Sequence, residues 1–140
     1  MQNIAEDITL ARVADTVADF YAQVRQHPTL AQPFGRITDW PTHLEHLTHF
    51  WWVTLGGQRY LSYRYNVPER HAAAGFTPQL LADWLALFRQ VLVAHLPLDL
   101  ADAWFERATR IGQSLTLMYE LGHFPRPATL GPIDTVAVPE

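Results

Sequence analysis

YRYNVPERHAAAGFTPQLLADWLALF, residues 63 to 88, is the stretch that decides how this chain is read. It sets one histidine, His71, in a short segment bounded by Pro68 and Gly75, and then opens a strongly apolar helix carrying Trp84 and Phe88. Thr77 and Pro78 form an N-cap and first-turn pair. After them Leu80, Leu81, Trp84, Leu85, Phe88, Val91 and Leu92 keep a helical period to about Ala94, and Pro97 ends it. A histidine held beside such a wall suits a fixed ligand next to an apolar surface.

Working outward, the same period recurs on both sides. Leu10, Val13, Val17, Phe20 and Val24 predict a helix after Thr9 and up to about Gln26, with Tyr21 beside the stripe and facing inward. The segment 27–39 holds two prolines and a glycine, and is expected to turn a corner with one helical turn over 29–34. A helix then starts at Asp39 to Pro41 and ends at Gly56 and Gly57. On it His43, Leu47, Phe50, Trp51 and Thr54 share one face. A last long helix runs from about Asp99 to Gly122 through Trp104, Ala108, Ile111, Leu115, Met118 and Tyr119. Four substantial helices without a convincing strand predict an all-α fold, with one domain over 1–124 and a proline-rich tail over 125–140.

Composition narrows the function classes. Apolar residues make up 49% of the 140 and charged residues 17%, with five Trp and seven Phe, more aromatic volume than a small helical core needs. All ten basic residues are Arg and they are scattered, which argues against a nucleic-acid partner. No apolar run reaches the length of a membrane span and the N-terminus is polar and acidic, so the expectation is a cytoplasmic protein without a membrane partner. With no Cys there is neither a thiolate metal site nor a cysteine nucleophile.

The histidines carry what chemistry remains. His43, His46 and His49 form an HxxHxxH run, but three-residue steps turn successive side chains by about 60° and leave the outer two roughly 120° apart. At most two of the three can share an ion, so a zinc site is disfavoured and His46 and His49 are expected at the surface, solvated or hydrogen-bonded. His43 differs, as the one long polar side chain on an apolar face. For both His43 and His71 the plain alternative is a hydrogen-bonded core or boundary histidine. The set of His71, an inward His43, a buried Tyr21 and surplus aromatics nevertheless suits a flat apolar cofactor held from one side and hydrogen-bonded from the other.

In order and spacing these pieces resemble a known family. FYxxVR at Phe20 to Arg25, W-x-x-H at Trp40 to His43, HFWW at His49 to Trp52, PERH ending at His71 with Phe76 downstream, and WLALF at Trp84 to Phe88 together look like the truncated haemoglobins, most of all the third group. The resemblance covers roughly residues 8–122. It implies a shortened globin fold, a 2-on-2 helical sandwich around haem b. His71 matches the proximal iron ligand, Tyr21 the distal tyrosine, His43 the distal-helix histidine and Trp84 a second distal donor. Phe34, Leu47, Trp51, Phe76 and Phe88 fall where the family walls its haem. Arg64 and Arg70, with Tyr63, are the nearest candidates for the haem propionates.

What such a site would bind follows from its donors. A neutral histidine ligand favours reversible binding of O2, NO or CO, and a phenol with an indole N–H would slow oxygen release. The resemblance therefore implies redox, NO/O2 or peroxidase-like chemistry with peroxide, drawing on an electron donor the sequence does not identify, rather than oxygen delivery. The competing expectation is a cofactor-free helical module whose aromatics form a core or a partner-binding groove.

Overall fold

The computed structural model describes residues 3–35, 37–62 and 77–121. Among them the chain is all-helical, with five α-helices and one 3-10 turn. The helices are α1 (Ile4–Ile8), α2 (Leu10–Val24), α3 (Trp40–Thr54), α4 (Pro78–His95) and α5 (Leu98–Glu120), and the 3-10 turn is Gln32–Phe34. No helix of the described residues is long and apolar enough to cross a membrane.

The helix starts follow the capping chemistry written in the sequence. The Thr9, Asp39 and Thr77 side chains accept from the N–H groups of Arg12, Thr42 and Leu80, and Pro41 and Pro78 stand in the first turns they open. Thr9 has a second duty that the sequence did not announce. At φ 85° it closes α1 and opens α2 at once, its own N–H bonding back to Ala5 O at 2.8 Å. A β-branched residue in that region is strained. Its cap and the buried Ile4, Ala5 and Ile8 hold it there.

α1 docks on the end of α3, where Ala5 N–H reaches Leu55 O at 3.1 Å. Gly56, at φ 110°, lets the chain turn back beside Asn3, whose Oδ1 would lie 3.2 Å from an added Cβ. The Arg107 guanidinium of α5 donates to Thr54 O at 3.0 Å, placing a cation where the α3 dipole ends. α4 and α5, joined across Leu96 and Pro97, pack most extensively on each other, and α2 lies against both α3 and α4.

The core lies where α2, α3, α4 and α5 meet. Phe20, Phe88 and Trp104 are completely buried. Phe88 is its hub, with ring centroids 4.8 Å from Phe20, 4.9 Å from Trp84, 5.5 Å from Trp51 and 5.6 Å from Trp104. Of the α2 stripe, Val13, Val17, Phe20 and Val24 are buried whereas Leu10 is exposed at the helix start.

Candidate functional site

Against this aromatic hub lies a pocket of about 50 Å³ lined from four helices and the 3-10 turn. Tyr21 comes from α2, Phe34 from the 3-10 turn, Leu47, Phe50 and Trp51 from α3, Leu81, Trp84 and Leu85 from α4, and Ala108, Ile111, Gly112 and Leu115 from α5. Five residues singled out from the sequence (Tyr21, Phe34, Leu47, Trp51 and Trp84) therefore meet on one cavity. Helical spacing explains how. Leu47 and Trp51 are four apart on α3, and Leu81, Trp84 and Leu85 span one turn of α4.

Tyr21 and Trp84 supply the polar atoms. The Tyr21 ring stands edge-on to Phe20 at 4.8 Å, and Phe34 and Trp40 complete its surround at 5.5 and 6.0 Å. Burial raises the Tyr21 pKa well above the ordinary phenol value, with a smaller opposing effect from the Trp84 indole N–H, so Tyr21 stays a neutral donor. That N–H lies near enough to the phenol to interact, yet it meets hydrogen-bond geometry with no group among the described residues. A buried N–H left so costs about 1–3 kcal/mol, which makes it available to a ligand that can accept.

His43 is 3% exposed and sits behind Tyr21, edge-on to it at 6.0 Å and to Trp40 at 5.0 Å. It supports the tyrosine without lining the cavity. Trp40 is covered from outside by the Arg25 guanidinium, 4.6 Å from its ring centre, so the W-x-x-H and FYxxVR pieces meet in space. Phe88 stands one layer behind Trp84. His71, Arg64, Arg70, Phe76 and Tyr63 lie outside the described residues.

His49 is a correction. Expected at the surface, it is 2% exposed, and its Nε2 accepts from Tyr60 N–H at 3.1 Å and Leu61 N–H at 3.2 Å. It turned inward because the chain after α3 folds back over the helix and covers it, a contact no local period reveals. His46 is half-buried. Among the described residues no three His, Asp or Glu side chains come together to hold a metal ion.

On the α5 wall Ala108, Ile111 and Leu115 belong to the expected apolar stripe, and Gly112 was missed. Ala108 and Gly112 are small residues four apart, and an added Cβ at Gly112 would lie 3.2 Å from Leu85 Cδ1. Small residues at that spacing signal a close helix approach, but the partner helix has to be known before they point to a pocket.

Do these residues fit a haem? The donor set does: a neutral phenol and a buried indole N–H that meets hydrogen-bond geometry with no group among the described residues, on an otherwise apolar, aromatic-walled cavity. In size the void matches a diatomic ligand or one or two waters, and falls below the ~300–1,000 Å³ usual for a cofactor site. The described walls thus suit the ligand end of such a site, and a macrocycle would need volume beyond what they enclose. Comparison with family models, curated proteins and solved structures finds no match for this chain.

Proposed function

We propose that this chain is a haem-binding globin of the truncated, 2-on-2 type, and that Tyr21 and Trp84 are the hydrogen-bond donors to a small ligand. The observation that carries the reading is the buried Trp84 N–H without a partner among the described residues, beside a Tyr21 hydroxyl that burial keeps protonated. Folding leaves such a group unsatisfied at a cost, and an accepting ligand at that point removes it.

Haem b would supply a ferrous iron able to bind O2, NO or CO and to exchange an electron. The chain's own residues do the rest. His71 is the proposed proximal ligand, with Arg64 and Arg70 for the propionates and Phe76 for the wall; Leu47, Trp51 and Phe34 exclude water from the ligand. Tyr21 and Trp84 present fixed dipoles to developing negative charge, which favours retention over delivery and suits redox, NO/O2 or peroxidase-like chemistry. His43 buttresses the Tyr21 ring from behind. The experiment is oxygen dissociation from the hemin-loaded, reduced chain. Tyr21→Phe should release oxygen about two- to tenfold faster, the worth of one neutral hydrogen bond; an unchanged rate removes Tyr21 from the donor set.

The small pocket volume favours a second reading, a cofactor-free helical module with an aromatic core. That reading predicts that added hemin leaves no saturable band.

A further inference from the structure

The return of the chain over α3 is fixed at two points, both to backbone. Gly57 N–H bonds to Trp52 O at 2.8 Å, and the Trp52 indole N–H donates to Gln58 O at 3.1 Å. One turn further back along α3, His49 Nε2 takes both Tyr60 N–H and Leu61 N–H, and the Tyr60 ring stands edge-on to the imidazole at 4.7 Å. The connector therefore retraces α3 from Trp52 to His49 before it enters residues 63–76. Gly57 permits the close approach, since a Cβ there would fall 2.2 Å from the Trp52 indole.

The two anchors differ chemically. An indole N–H donates at any pH. An imidazole nitrogen accepts only while it is unprotonated, so the His49 anchor needs the neutral ring with its proton on Nδ1. In imidazolium the same Nε2 carries a hydrogen and meets two backbone donors with a third. Among the described residues the groups acting on His49 are Arg59 on the connector and His46 on α3, while Glu45 acts on Tyr60. Burial first, then Arg59 and His46, hold the His49 pKa below its ordinary 6.5.

We propose that His49 is the positioning residue of this connector: as a neutral imidazole it fixes the backbone at Tyr60 and Leu61, and with it the entry into residues 63–76, and on protonation it lets that entry go. The sign follows from linkage. The opened form takes up its proton near pH 6.5 and the closed form only below that, so the anchor is intact above 6.5 and weakens as pH falls beneath it. Where the proposed iron ligand His71 is concerned the inference rests on the haem reading; the anchor itself does not.

Amide exchange on the full chain tests it. Protection at Tyr60 and Leu61 should fall, by up to about tenfold per pH unit below 6.5, while amides in α4 stay protected. His49→Gln places a non-titrating acceptor at the same reach and should keep protection flat with pH. His49→Leu should lose it at every pH. Protection in the parent chain that does not respond to pH, or a His49→Leu chain as protected as the parent, overturns the proposal. If the leucine variant does not fold, the parent and glutamine profiles decide alone. With hemin bound, His49→Gln should also hold haem to a lower pH than the parent; a chain that takes up no hemin contradicts the haem reading and leaves the exchange result to judge the anchor.

Discussion

His43 and His49 lie six residues apart on different faces of α3, both almost fully buried, and they serve different kinds of structure. His43 packs by its ring faces and edges among Tyr21 and Trp40. His49 works through one nitrogen, as acceptor for two backbone N–H groups. Packed aromatic rings surround Tyr21 and His43, whereas the connector is held by hydrogen bonds that require a neutral ring at His49.

The largest effect should come from the hub shared by the pocket and the core. Phe88→Ala removes the ring that touches Phe20, Trp51, Trp84 and Trp104, and should destabilise by about 3–5 kcal/mol in denaturant unfolding. A loss below about 1 kcal/mol would mean that the four aromatics repack without it. On the connector side, Gly57→Ala forces a methyl into the Trp52 indole and should cost about 1–3 kcal/mol.

Acid sharpens the contrast. Denaturant midpoints measured between about pH 7.5 and 5 should fall in the parent chain and fall less in His49→Gln, because the neutral ring is favoured by the fold. Equal slopes would deny the anchor a share in stability. A smaller change is expected at the pocket wall. Gly112→Ala gains up to about 1 kcal/mol of helix propensity, and Leu85, which lines the cavity, can yield the few tenths of an ångström needed. Stability should rise while the pocket shrinks; a lower midpoint would show that Leu85 cannot move. The smallest effect belongs to the half-exposed pair of Asp19 and His95, 2.7 Å apart. The His95 hydrogen bond and then that of Gln23 lower the Asp19 pKa, so its contribution is present above the ordinary carboxylate value of 3.8 and is lost as pH falls through the lower folded one. Asp19→Asn at neutral pH should cost at most about 1 kcal/mol, since solvent screens the pair.

What was legible in the sequence was local. Thr9, Asp39 with Pro41, and Thr77 with Pro78 marked three helix starts correctly because capping is settled within four residues. The inward faces of Tyr21, Leu47, Trp51 and Trp84 were legible from period alone. Helix α1 escaped because five residues are too few to show a period, although Asn3 supplied its cap. His49 escaped because its partners are backbone N–H groups eleven and twelve residues away, which carry no side-chain signature. Gly112 escaped because its role depends on Leu85, on another helix.

The proposal that this cavity is the ligand end of a haem site is tested most directly by hemin titration of the purified chain beside its His71→Ala variant. A sharp Soret band is expected that saturates at one equivalent in the parent and is weakened or absent in the variant. No saturable band in the parent, or one that His71→Ala leaves unchanged, would contradict it.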